Sequence, residues 1–271
     1  MGLESIRCFV LDMDGTIYLG NKLFDYTKEF LHTAEKCGID IWYYTNNSSK
    51  NAKFYISKLK KMGIECEEHK MLISNQVIIK HLLKEHSDSR VYVVGTEYLV
   101  NDFIEAGIRV TDTDCDIVVM GFDTTLTYEK LVKSCDFVRN GAILYGVNMD
   151  YNCPTETGFI PDCGSICQLV YASTGVKTEF FGKPSSHTAD FILEKTGYDK
   201  DSLAIIGDRL YTDIALGTNN GFTSILVLSG ESSHEDMEKS ETKPDFVFGS
   251  LKEISNNLKK IYNLHDTATS E

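Results

Sequence analysis

RCFVLDMDGT, residues 7–16, begins as a short β-rich apolar run and breaks at Asp12 into an acidic turn, where Gly15 relaxes the backbone. A run that is apolar at every position, rather than at alternate ones, predicts a strand buried on both faces of a parallel sheet. The same texture recurs along the chain. A helix is expected from Thr27 to Cys37, closed by Gly38, and then the strand IDIWYY ending at Thr45. Asn46, Asn47, Ser48 and Ser49 supply capping side chains for a helix through about Met62, in which Ala52, Ile56, Leu59 and Met62 recur at helical spacing. A further helix at about 75–85 leads to RVYVVG at 90–95. Strands follow at 116–121 and 142–146, with helices at 127–138 and 164–174. Beyond these come a helix from Ser186 to Lys195, the strand LAIIG at 203–207, a helix near 212–219 and a strand at 224–230. The final helix carries Leu251, Ile254, Leu258 and Ile261 on one stripe, and a polar tail begins at about 263. Strands alternating with helices indicate an α/β protein with a parallel sheet covered on both faces. Ligands of such sheets bind beyond the carboxyl ends of the strands.

The chain has 271 residues, which suggests one large domain or a core with a smaller module. A net charge of −13 repels a nucleic-acid backbone, and it also means that any phosphate site needs a cation and local positive groups. No apolar run reaches membrane-spanning length, and the first residues are too charged for a signal peptide. The 8 Cys include no CxxC pair, so reduced thiols and a cytoplasmic protein are expected. Neither these cysteines nor His187 has a catalytic partner in the sequence.

Four segments at predicted strand ends carry chemistry. Asp12 and Asp14 sit two residues apart and can point into one crevice. A carboxylate can attack phosphorus, and a neighbouring one can protonate the leaving oxygen and then take a proton from water. A calcium loop is the rival reading, but Thr16 and Ile17 do not fit its register. Thr45, Asn46 and Asn47 offer a hydroxyl and amides for phosphate oxygens, or plain helix caps. Lys183, in Gly182-Lys183-Pro184, can neutralise a phosphoryl oxygen and a nucleophilic carboxylate together. Asp208 and Asp213, after the strand 203–207, suit Mg²⁺. Phosphate-monoester hydrolysis demands up to roughly 10²¹-fold acceleration, so a full constellation is expected rather than one group.

In this order, the four segments resemble the motifs of the haloacid dehalogenase-like (HAD) phosphohydrolases. The resemblance implies Asp12 as nucleophile, Asp14 as general acid and base, and Thr45 and Lys183 as phosphate ligands. It implies Mg²⁺ held by Asp12, the Asp14 carbonyl and Asp208, with Asp213 in or near its shell. Thr45-Asn46-Asn47, Gly121-Phe122-Asp123 and the 138 residues from Thr45 to Lys183 are similar to the NagD-like and p-nitrophenyl phosphatase branch, with its class IIA cap. The stretch Gly217-Thr218-Asn219-Asn220-Gly221 departs from the small residues usual there. The expected architecture is a Rossmann-like parallel-sheet core, residues 1–88 and 179–271, with an inserted α/β cap at 89–178. Asn148, Asp150, Tyr151 and Asn152, in a loop after AILYG, are the candidate leaving-group contacts, with a solvated turn as the rival reading, whereas Asn46 and Asn47 stay candidates for the phosphate oxygens. The expected activity is hydrolysis of small-metabolite phosphomonoesters through phospho-Asp12. A phosphomutase and a non-catalytic phosphometabolite-binding protein are the alternatives, and a homodimer through the cap is a further expectation.

Overall fold

A computed structural model describes residues 2–155 and 157–264; the polar tail from 265 onward lies outside the described residues. Contacts divide the chain into two compact units, residues 1–43 with 193–271 and residues 44–192. The second unit ends later than the 178/179 division read from the sequence and begins earlier than the 88/89 division. The reason is tertiary: the segment 44–88 bonds to the inserted sheet's own elements. The Asn75 amide donates to Asp102 at 3.0 Å, the Thr96 hydroxyl to the Ser49 carbonyl at 2.8 Å, and the Phe122 amide to the Ser48 hydroxyl at 2.8 Å.

In the first unit five strands lie in parallel, in the order Phe246–Phe248, Thr223–Val227, Leu203–Gly207, Cys8–Leu11 and, for its residues 40–43, Asp40–Thr45. Both central strands are buried at every position, as their unbroken apolar runs predict. The helix Leu251–Ile261 packs against the helix Thr27–Lys36. Leu251, Ile254 and Leu258 are fully buried there, whereas Ile261, at the helix end, is exposed. The Thr33 and Ser255 hydroxyls meet across this pair at 2.8 Å.

The second unit holds a parallel five-stranded sheet, in the order Glu179–Phe180, Ile143–Gly146, Ile117–Met120, Arg90–Val94 and Arg109–Val110. Helices Tyr128–Arg139 and Cys163–Thr174 share its core with Val118, Met120 and Leu144. An antiparallel hairpin, Asn152–Thr155 with Gly158–Pro161, stands where the sequence suggests only a loop. The helix Ala52–Lys61 is capped by Asn51, whose side chain accepts from the Phe54 amide at 3.0 Å. The caps expected from Asn46, Asn47, Ser48 and Ser49 are therefore corrected: Asn46 and Ser48 make tertiary hydrogen bonds instead. All eight cysteines are free. No helix among the described residues is long and apolar enough to cross a membrane.

Candidate active site

Leu11 lies opposite Ile206 in register, and the Asp12 amide donates to the Ile206 carbonyl at 2.8 Å. The two central strands of the first unit therefore release Asp12 and Asp208 side by side at their carboxyl ends. A wide helical turn, Leu210–Ile214, then carries Asp213 back toward them. One carboxylate oxygen from each of Asp12, Asp208 and Asp213 lies within 4.8 Å of the other two. Asp208 and Asp213 are buried and Asp12 is half-buried.

A loop that follows the strand Thr223–Val227 fixes Asp208. The Glu231 amide donates to Asp208 Oδ2 at 2.6 Å, and the Ser232 amide donates to the Asp208 carbonyl at 3.1 Å. Arg209 ties the loop down through Glu231 at 2.9 Å, while its own amide donates to Asp213 Oδ2 at 3.1 Å. A Cβ at Gly15 or Gly230 would collide with the Asp208 carboxylate, and Gly15 also holds a φ of +87° that suits glycine. The second oxygen, Asp208 Oδ1, is buried with no hydrogen-bond partner among the described residues. Burial first, then Asp12 and Asp213, pushes the Asp208 carboxyl well above the usual carboxylate range. A buried acceptor without a donor, set among converging acids, is the environment that a hard cation relieves. The all-oxygen donor set fits Mg²⁺.

Asp14 follows in the turn. Its Oδ1 accepts from the Gly20 amide at 3.5 Å, and the Gly15 amide donates to the Tyr18 carbonyl at 2.8 Å. The Ser229 hydroxyl donates to the Gly15 carbonyl at 2.8 Å, so the loop holding Asp208 also braces this turn.

A second cluster lies within the second unit. Thr45 is buried and its hydroxyl accepts from the Asn47 amide at 3.2 Å. The Asn46 side chain accepts from the Lys183 amide at 2.8 Å and donates to the Lys183 carbonyl at 3.1 Å and to Asp150 Oδ2 at 2.8 Å. Lys183 is buried, with Nζ 5.1 Å from the Tyr44 ring centroid. The Asn148 side-chain amide donates to Asp150 Oδ2 at 2.9 Å and to Asp162 Oδ1 at 3.0 Å, and its oxygen accepts from the Ser48 hydroxyl at 3.0 Å. Asn46, Asn148, Asp150 and Lys183 thus form one buried network rather than a solvated turn. Asn47 turns its oxygen to the Ser49 amide and hydroxyl, at 3.1 and 2.7 Å. Tyr151 is half exposed, with its hydroxyl accepting from Gln168 at 3.3 Å.

Sequence reasoning overlooked the loop Ser229–Ser232 and Asp162, and it read Ser48 only as a helix cap. The signal available for the loop was Gly230 directly after an apolar strand; Asp162 carried none, and nothing in the sequence marked Ser48 for a tertiary bond.

Residues 9–109 match the haloacid dehalogenase-like hydrolase family model, and residues 180–254 match a HAD-hydrolase-like model. The chain is 34% identical over 259 residues to an acid sugar phosphatase of Staphylococcus aureus, spanning 95% of this chain and 100% of that one. It is 32% identical to the 5'-nucleotidase YutF of Bacillus subtilis, over 93% of this chain and 98% of that one. Among solved structures, the 4-nitrophenylphosphatase of Thermotoga maritima superposes with a TM-score of 0.90 at 43% identity, over 94% and 98% of the two chains. NagD from E. coli K-12 gives a TM-score of 0.84 at 29% identity, over 92% and 98%. The strand-end acids and these full-length likenesses agree: the chain belongs to the haloacid dehalogenase-like hydrolases, as a NagD-like phosphatase acting on phosphoric monoesters.

Proposed function

We propose that this phosphatase requires Mg²⁺ and hydrolyses small-metabolite phosphomonoesters through a phospho-aspartate on Asp12. The observation that carries the reading is the acid cluster at the strand ends, in which Asp208 Oδ1 is buried without a donor among the described residues. Asp12, Asp208 and the Asp14 carbonyl would hold the cation, with Asp213 in or near its shell. The bound ion would neutralise charge on the phosphoryl oxygens.

The protein's own groups do the rest. Thr45 and Lys183 hold phosphoryl oxygens, and the Lys183 charge offsets that of the nucleophile. An Asp12 oxygen attacks phosphorus as the ester P–O bond breaks, and protonated Asp14 gives its proton to the leaving oxygen. Asp14, now a carboxylate, takes a proton from water. That water oxygen bonds to phosphorus, the P–O bond to Asp12 breaks, and inorganic phosphate leaves with Asp12 restored. Asn47 offers a further amide to the phosphoryl oxygens, and residues 89–178, with Tyr151 as a contact, select the leaving group on a core of 1–88 and 179–271. Sugar phosphates and nucleoside monophosphates are the substrate classes, a reading supported by the names of the relatives, with p-nitrophenyl phosphate as an artificial substrate.

Replacing the nucleophile should lower Mg²⁺-dependent p-nitrophenyl phosphate turnover by at least about 10³-fold in Asp12→Asn, while the protein stays folded. Turnover like that of the parent protein would overturn the mechanism.

A further inference from the structure

We infer that Asn46 and Asp150 are positioning residues that set the backbone of Lys183, and are not contacts to the substrate. The inference rests on the reading of Lys183 as a phosphoryl ligand. Asn46 has no hydrogen-bonding capacity to spare on its amide nitrogen. One hydrogen goes to the Lys183 carbonyl and the other to Asp150 Oδ2, at 3.1 and 2.8 Å. Its oxygen takes the Lys183 amide at 2.8 Å, so the side chain bridges both backbone groups of that residue. The preceding amide, that of Gly182, donates to the Val147 carbonyl at 2.7 Å. A Cβ on Gly182 would stand 2.7 Å from Asn46 Oδ1 and 2.9 Å from the Val147 carbonyl, so the clamp closes directly on the backbone.

Asp150 anchors the clamp. It is 1% exposed, and its Oδ2 receives the amides of Asn46 and Asn148 together. Asn148, fully buried, is fixed in turn by Ser48 and Asp162. A leaving-group contact needs a polar atom open to the ligand; both amide hydrogens of Asn46 and of Asn148, and Asp150 Oδ2, are spent on protein partners. What they determine is where the Lys183 chain begins, and a shift of about 1 Å in a charged ligand's position can lower a rate about 10²-fold.

The two roles separate by substrate. Steady-state constants would be measured for an aryl phosphate, a sugar phosphate and a nucleoside monophosphate, using Asn46→Ala, Asp150→Ala, Asp150→Asn, Lys183→Ala and the Asn46→Ala/Lys183→Ala double variant. A residue that acts through Lys183 meets the phosphoryl group common to all three. Its loss should lower kcat/KM by the same factor for each, about 10²-fold, and weaken inhibition by inorganic phosphate in parallel. Asp150→Asn keeps an oxygen for both amides and should recover most of the loss, which also guards against an alanine variant that fails to fold. Asn46→Ala should add nothing on the Lys183→Ala background. Losses that differ between leaving groups, or a full additional loss in the double variant, would overturn this inference alone. Full activity in Lys183→Ala would overturn the functional reading and the inference with it.

Discussion

Asp208 serves two ends with two oxygens. Its Oδ2 is satisfied by the Glu231 amide, while Oδ1 is buried with no donor among the described residues. Because burial and the Asp12 and Asp213 charges raise its folded pKa above the unfolded value, the native state holds this proton more tightly. The stability it contributes is complete below the ordinary carboxylate pKa of about 3.9 and is lost as pH rises through the raised folded value. In chelated protein, Asp208→Asn should therefore raise the melting temperature at neutral pH and give no such gain in acid. The gain should be a few degrees, since about 1 kcal/mol moves a chain of this size by about 2–4 °C. Mg²⁺ at about 100 times its Kd stabilises a folded protein by about 2.7 kcal/mol, and that upward shift should vanish in the variant. A preserved Mg²⁺ shift in thermal melts would remove Asp208 from the cation site. The acids themselves were legible in the sequence, because each follows an apolar strand. The groups that aim them were not. Glu231 reaches Asp208 across 23 residues of chain through a backbone amide, which leaves no mark on residue type.

Elements with a continuous apolar run or a clear helical stripe are the ones the sequence reveals. The strand Leu203–Gly207 has the bounds its pattern predicts, and the helix Leu251–Ile261 buries three of its four stripe residues. Leu258→Ala should cost about 2–5 kcal/mol, as for other buried leucines, while kcat stays near that of the parent. Ile261→Ala, at the exposed end of the same stripe, should stay within about 0.5 kcal/mol. Urea melts of the two variants check this, and equal effects would mean the stripe does not face the core. Two-residue strands such as Arg109–Val110, and the hairpin at 152–161, offer too few residues for a period to show. The helix cap was misplaced for a different reason. Asn46, Ser48 and Asn51 share the chemistry of caps, and only tertiary contacts decide that Asn51 caps while the others bond elsewhere.

At the scale of the whole molecule, the parallel-sheet α/β class follows from the alternation of buried strands and helices, whereas the bounds of the two units depend on side-chain bonds. The net charge of −13 acts over the same scale. It opposes the approach of a dianionic phosphomonoester, so screening should help. At fixed Mg²⁺, kcat/KM should rise as added salt shortens the Debye length from about 30 Å to about 8 Å. A steady fall over that range would show that local positive charge outweighs the net charge. The phospho-aspartate is tested by quenching the enzyme in acid during turnover, reducing it with borohydride and sequencing the peptides by mass spectrometry. The mechanism predicts homoserine at position 12, formed from the trapped acyl phosphate and absent when substrate is omitted. An unmodified Asp12 during rapid turnover, or a phosphoryl group on another residue, would contradict it.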